Sequence, residues 1–294
     1  MKKVLVLGGT RFFGKKLVER LVGEGAGVTI VTRGNVPDPF GGAVTRLQAD
    51  RTDKAALSRL LGSSSFDVVY DNICYTPQEA EDAIALFADR TGKYIVTSSL
   101  SVYPFGEERL SERDFDPYRY PLPHPLPPKG DYAEGKRLVE AVVFQKAPFP
   151  AAAVRFPIVL GHDDYTRRLH FHIEHVQDGQ PLGIPNPGAK MSFIRSDEAA
   201  AFLAWLGRSE LAGPVNACSK GEISPGEIVS FISEAVGKPA DIVSETEQIH
   251  MSPFGVPEPW YMDTEKAEAA GFAFEQLNDW LPDLIREIAA GRSK

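Results

Sequence analysis

The sequence predicts an α/β protein: a doubly wound parallel sheet with a smaller C-terminal substrate domain. Three observations carry that expectation. Short apolar runs rich in β-branched residues recur through the first half: Val4-Leu5-Val6-Leu7, Val28-Thr29-Ile30-Val31, Val68-Val69-Tyr70 and Tyr94-Ile95-Val96. Between them lie segments with apolar residues at helical spacing, the first through Phe13, Leu17, Val18, Leu21 and Val22. Alternating buried strands and amphipathic helices are how parallel strands joined by crossovers read in sequence. Third, the first run enters Gly8-Gly9-Thr10-Arg11-Phe12-Phe13-Gly14 and leaves it as a helix.

Strand, tight glycine turn and helix start together form the Rossmann device for a pyrophosphate. Gly8 lets the chain turn, and Gly14 lets the helix pack close to the strand. The free backbone N–H groups of the turn, through Thr10, Arg11, Phe12 and Phe13, face the phosphates at the positive helix end.

The second strand, residues 28–32, ends at Arg33. An Asp or Glu there holds the ribose 2′-hydroxyl of NAD, whereas an arginine suits a 2′-phosphate. Arg11 is placed to reach the same phosphate from the other side. NADP is therefore expected over NAD. The third strand spans 44–50, and Asp50 and Arg51 at its end face the adenine side. Asp53 caps a helix over 54–61. The fourth strand, 66–71, ends at Asn72-Ile73-Cys74, where strand ends face the ligand. Cys74 is expected near the cofactor as a buried thiol and not as a nucleophile. Pro77 begins a helix to about Arg90. The fifth strand, 94–98, carries Thr97 and leads to Ser99.

Residues 104–128 contain seven prolines, which forbid a long regular element. A loop of that length suggests a lid or substrate-binding segment. Asp131 then caps a helix through about Lys146. The four-residue spacing puts Tyr132 and Lys136 on one helix face. The sixth strand, 151–156, ends at Phe156, again on the cofactor side.

This order of glycine turn, Arg33, Asp50, Ser99 and Tyr132-x-x-x-Lys136 resembles the extended or atypical short-chain dehydrogenase/reductase superfamily, which holds the NAD-dependent epimerases and dehydratases. The resemblance is strong over residues 1–160 and looser beyond. It implies that Ser99, four residues before Tyr103, is the catalytic serine, Tyr132 the catalytic tyrosine and Lys136 the catalytic lysine that also holds the nicotinamide ribose. Arg11 stands where that group has its middle glycine. The string Gly-Gly-Thr-Arg-Phe-Phe-Gly is similar to a subgroup that includes chloroplast stem-loop RNA-binding proteins. Sugar dehydratases follow the catalytic Ser/Thr with Asp-Glu, and this chain has Leu100-Ser101, which disfavours dehydration.

The chemistry follows from the residue types. A hydride leaving or joining an oxygen-bearing carbon needs a proton to move at that oxygen. A phenol near pKa 10 is a poor base at neutral pH unless a nearby ammonium and the positive nicotinamide lower it. Lys136 is expected to lower the pKa of Tyr132, and Ser99 to hydrogen-bond the substrate oxygen.

Residues 1–160 are read as the nucleotide-binding domain, with 190–220 returning to it, and 161–294 as mostly substrate-binding. Four histidines, at 162, 170, 172 and 175, lack the spacing and companions of a metal site, so no metal is expected. They are read as a solvated helix face with one or two near substrate. Residues 181–187 read as turns. Asp197 is expected to cap a helix through Leu206, 215–218 to be a strand, Ser224 to cap another helix, 241–244 to be a strand, and Trp280 to start a final helix.

Net charge is −8, which gives no encouragement to a nucleic-acid partner. Two cysteines suggest a reducing compartment, and Met1-Lys2-Lys3 enters the first strand without an apolar leader, so a cytoplasmic protein is expected. No apolar run approaches the roughly 20 residues of a membrane span. The expected function is hydride transfer between NADP(H) and a small carbonyl or alcohol, a sugar or sugar nucleotide among the candidates. A nucleotide-sugar epimerase with bound NAD(P) is one alternative, and a nucleotide-dependent RNA-binding or redox-sensing protein another. The helices at 77–90 and 131–146 offer faces for a homodimer contact, unless their apolar residues are all used internally.

Overall fold

The computed structural model describes residues 2–128 and 130–291; Met1, residue 129 of the proline-rich loop and residues 292–294 lie outside it. The first half alternates as the pattern demands: β1 (Lys3–Leu7), α1 (Phe12–Gly23), β2 (Gly27–Thr32), β3 (Val44–Gln48), α2 (Lys54–Leu61), β4 (Val68–Asp71), α3 (Pro77–Phe87), β5 (Tyr94–Ser99), α4 (Tyr132–Lys146) and β6 (Ala151–Phe156). Then come β7 (Ile158–Leu160), α5 (Arg168–Asp178), β8 (Pro181–Gly183), β9 (Phe193–Arg195), α6 (Ser196–Leu206) and β10 (Gly213–Asn216). The chain closes with α7 (Pro225–Val236), β11 (Asp241–Val243), α8 (Glu265–Ala269) and α9 (Leu277–Gly291).

A seven-stranded parallel sheet has the order β10-β6-β5-β4-β1-β2-β3. The chain winds outward from β1 in one direction, then restarts at β4 on the other side of β1. The carboxyl ends of β1 and β4 therefore flank the switch point, where such sheets open a crevice. Alternate side chains of β1 enter opposite cores: Val4 and Val6 join the cluster under α1 and α6, and Leu5 and Leu7 the cluster under α3 and α4. Burial on both faces is why the run shows no polar alternation. A third cluster gathers α5, α7 and α9 around Phe193, Ile228, Phe254 and Leu281.

Several sequence expectations are corrected. Residues 181–187 are not all turn: β8 pairs in parallel with β11. Arg195, not Asp197, occupies the N-cap of α6. Asp197 lies in the first helical turn and pairs with Lys16 of α1 at 2.9 Å. The strand expected at 215–218 runs over 213–216. The final helix starts three residues earlier than expected, at Leu277. The histidines of α5 are not a solvated face. His172 is fully buried, stacked on Phe254 at 4.2 Å, with its ring nitrogens against Ser252 Oγ at 2.7 Å and the Arg168 carbonyl at 2.8 Å. Burial lowers it to about 4, so it is a neutral core histidine. His175 meets His250 at 3.1 Å, and His162 meets Glu287 at 2.6 Å. Among the described residues no three His, Cys, Asp or Glu side chains are grouped to hold a metal ion, and no helix is long and apolar enough to cross a membrane.

Candidate active site

A cavity of about 620 Å³ lies at the switch point. That is ample for a cofactor-sized ligand. Gly8, Thr10, Arg11, Phe12, Phe13 and Gly14 line it from the turn after β1. Arg33 lines it from the end of β2, Asp50 and Arg51 from beyond β3, and Asn72 and Ile73 from the end of β4. Residues from four strand ends thus converge because the parallel sheet puts all its carboxyl ends on one edge.

Two glycines in the turn are sterically required. Gly8 has φ +82°, and a Cβ there would stand 2.6 Å from Ile73 Cγ2. A Cβ on Gly14 would stand 2.5 Å from the Gly8 carbonyl oxygen. Phe12 holds the left-handed region at φ +49°, a strained conformation for a side chain of that size. Asn72 is buried and accepts a hydrogen bond from Thr97 Oγ1 at 2.9 Å, while its Nδ2 has no partner. A buried donor left unpaired in a cavity wall is costly unless a ligand satisfies it. The glycine cradle, the orphaned amide and the cavity size fit a dinucleotide.

Asp50 accepts from Thr52 N at 2.9 Å and Thr52 Oγ1 at 2.6 Å, which holds its carboxyl below the usual range. Arg51 is half a wall and half a strut. Its guanidinium lies against Asp71 at 2.7 Å and donates to the Ile73 carbonyl at 3.1 Å.

The catalytic candidates stand beside this cavity and do not line it. Lys136 is buried and donates to the Cys74 carbonyl at 2.8 Å and the Thr97 carbonyl at 2.7 Å. Burial lowers its pKa to about 8 against the opposing pull of Cys74, Asp71 and Glu140. Its ammonium lies 4.7 Å from the Tyr75 ring centroid and 5.8 Å from that of Tyr132. Tyr75 lines the cavity and so joins the two parts. Gly135 makes room for it, since a Cβ there would stand 2.8 Å from the Tyr75 carbonyl oxygen.

Tyr132 is 52% exposed as a whole residue, yet crowding at its hydroxyl raises the phenol pKa. The Ser99 hydroxyl beside it and the Arg168 charge pull the other way. The expected lowering by Lys136 is not what this geometry produces: desolvation wins, and the ammonium is committed to two carbonyls. Ser99 Oγ accepts from Ser101 N at 3.1 Å, which fixes the hydroxyl at the end of β5.

Three other residues expected at the cofactor take different places: Thr97 lies behind Asn72, to which its hydroxyl donates, outside the cavity lining. The Cys74 side chain points into the core, with its thiol pushed up to about 12 by burial; only its carbonyl serves the site. Phe156 is a core residue 5.7 Å from the Phe13 ring, outside the cavity lining. Tyr75, Tyr165, Asn35 and Glu79 line the cavity without having been expected there. Glu79 alone has a local signal: it is the third residue of the capping box that Thr76 opens.

The family model for the NAD dependent epimerase/dehydratase family matches residues 4–217. The chain is 28% identical over 273 residues to the chloroplast stem-loop binding protein of 41 kDa b of Arabidopsis thaliana, across 86% of this chain and 66% of that protein. It is 25% identical over 252 residues to 2'-dehydrokanamycin reductase of Streptomyces kanamyceticus, across 82% of this chain and 69% of that protein. The chain thus spans about two thirds of the length of these curated relatives. UDP-glucose 4-epimerase of Thermus thermophilus, solved in complex with NAD, shares the fold with a TM-score of 0.75 at 19% identity, over 98% of this chain and 99% of that one.

Proposed function

The chain belongs to the NAD dependent epimerase/dehydratase family, and from that premise we propose that it is an NADP-preferring oxidoreductase that reduces a carbonyl or oxidises an alcohol. The observation that carries this reading is Ser99, Tyr132 and Lys136 gathered beside a cavity walled by the glycine turn and Arg33, with the Lys136 ammonium 4.7 Å from the ring of Tyr75, which lines it.

Gly8, Gly14, Asn72 and the turn backbone would hold the dinucleotide, with Arg33 at a 2′-phosphate. When bound, the nicotinamide supplies or accepts the hydride. Ser99 presents its hydroxyl to the substrate oxygen. Tyr132 gives its phenolic proton to that oxygen in reduction and takes it back in oxidation. Desolvation raises the phenol pKa, so Tyr132 enters reduction with its proton in place. Lys136, fixed by two carbonyls, places its positive charge beneath the reacting edge of the site.

Titration of the purified protein with NADPH and NADH, read by cofactor fluorescence, tests the cofactor half. The expected result is NADPH binding at least about tenfold tighter, about 1.4 kcal/mol, with Arg33→Ala removing the difference. Equal affinities in the unaltered protein would sink the phosphate assignment. A panel of carbonyl substrates with NADPH tests the chemistry. Stoichiometric NADPH consumption supports the reductase. Substrate conversion without net consumption supports the second reading, a sugar-nucleotide epimerase, which the shared fold with UDP-glucose 4-epimerase favours. The 28% identity to a stem-loop binding protein raises an RNA-binding role, against which the net charge of −8 weighs.

A further inference from the structure

We propose that Arg11 and Tyr165 form a clasp over the phosphate-bearing stretch of the dinucleotide and set the rate at which it leaves. The inference rests on the reading of the cavity as a dinucleotide site and goes on to a residue that no motif assigns.

Arg11 comes from the turn after β1, and Tyr165 from the segment between β7 and α5. Both line the same cavity. The Arg11 guanidinium carbon lies 5.4 Å from the centroid of the Tyr165 ring. The edge of the same ring meets Phe12 at 6.3 Å and 87°. Two parts of the chain remote in sequence therefore touch across the mouth of the groove, on the side where the turn presents its backbone N–H groups.

The segment bearing Tyr165 is tied down. Asp163 lies 3.6 Å from Lys16 of α1. Asp164 is buried, and its carboxylate accepts from Thr166 N at 2.9 Å and Thr166 Oγ1 at 2.5 Å. Gly161 lets the segment approach: a Cβ there would stand 3.1 Å from Phe12 Cε2. Two residues in the left-handed region, Phe12 at φ +49° and Arg167 at φ +55°, bracket the contact. Strain of this kind persists only where surrounding contacts enforce it.

The chemistry suits a phosphate. A guanidinium stacked on an aromatic face keeps its N–H edge available for an anion. Among the described residues that edge has no hydrogen-bond or ion-pair partner. Asn72 Nδ2, buried and unpaired beside Gly14, is a second donor at the same cavity. A bound diphosphate would thus meet the turn's backbone N–H groups and the Arg11 guanidinium together, with Tyr165 holding Arg11 in place. Departure requires that contact to open. A slow release favours a cofactor kept through turnover, and a fast one a cofactor exchanged in each cycle.

The test is stopped-flow release of NADPH from the intact protein and its variants. Tyr165 is 59% exposed, so its replacement leaves the core intact. Tyr165→Ala is expected to speed release about fivefold, the scale of a partly exposed cation–π contact, with association little changed. Tyr165→Phe, which keeps the ring, restores slow release. Arg11→Ala speeds release at least as much, and the Arg11→Ala/Tyr165→Ala double variant adds no further acceleration, as coupled residues require. NADPH bound and released by Tyr165→Ala at the unaltered rate would overturn the clasp and leave the dinucleotide site standing. Independent, additive effects of the two substitutions would overturn it as well. Failure of the unaltered protein to bind NADPH or NADH would remove the dinucleotide reading and the clasp together.

Discussion

Arg51 and Arg155 are both paired with a buried carboxylate, Asp71 at 2.7 Å and Glu140 at 2.6 Å, on opposite flanks of the candidate site. Around Arg155 every nitrogen is used. Nε donates to Glu140 at 3.0 Å, Nη1 to Tyr103 Oη at 2.7 Å, and Nη2 to the Phe115 carbonyl at 3.1 Å. Ser98 Oγ donates to the same Glu140 at 2.5 Å, and Tyr103 Oη donates to Asn216 at 2.7 Å. This network joins β5, β6, α4, β10 and the proline-rich loop. Around Arg51 the accounting is incomplete: Nε has no partner, and the residue lines the cavity. The sealed pair fastens β5 and α4, which carry the candidate catalytic residues, to the loop that follows. The open pair leaves one buried nitrogen unsatisfied in a side chain that lines the cavity. Burial of an ion pair alone says little about stability; the completeness of its hydrogen bonding shows what it is for.

The comparison can be broken most forcefully at Arg155. Arg155→Met strands the Glu140 charge and is expected to cost about 4 kcal/mol, read as a lower urea midpoint. Arg155→Met/Glu140→Leu should regain most of it, because an apolar pair needs no partner. Equal stability of the single and double variants would deny the network its role. Next in size is Tyr132→Phe, expected to lower turnover about hundredfold by removing the proton donor. Turnover at the unaltered rate would exclude Tyr132 as the acid. Arg51→Met follows, at about 2 kcal/mol, smaller because Asp71 keeps the Tyr94 hydroxyl at 2.7 Å and the Ile73 N–H at 3.2 Å as donors. Unlike Arg155→Met, it should also weaken nucleotide binding in a fluorescence titration; unchanged affinity would make the open pair merely structural.

The smallest effect is a pH dependence at Lys136. Its pKa falls from the ordinary 10.5 to about 8 in the folded chain. Between those values the unfolded lysine holds a proton that the folded one has lost, so stability rises with pH over that window. Nucleotide affinity should move oppositely, since the ammonium present below about 8 is lost above it. Lys136→Met should flatten both slopes. Stability and affinity rising together across that window would contradict the assignment.

Much of the nucleotide half is legible in the sequence because its signals are local. An apolar run, a glycine turn and an amphipathic helix each declare themselves within a dozen residues. Tyr132 and Lys136 share a face because four residues make about one helical turn. The second half is less legible. β8 and β11 are three residues each, too short for a period to show, and their pairing joins segments far apart in sequence. In the sequence His172 is one histidine among four, and only Phe254 and Ser252 make it a core residue.

The sequence by itself determined the fold class, the place of the glycine turn, the arginine after β2 and the serine, tyrosine and lysine of the candidate catalytic set. Each depends on residue type at short spacing, which backbone geometry converts directly into position. Only the tertiary structure decided which way the Tyr132 phenol shifts, that the Cys74 thiol faces the core, that Arg51 and Arg155 differ in closure, and that Tyr165 reaches Arg11. Those outcomes depend on desolvation and on contacts between remote segments. Neither has a period, a spacing or a cap to announce it in the chain.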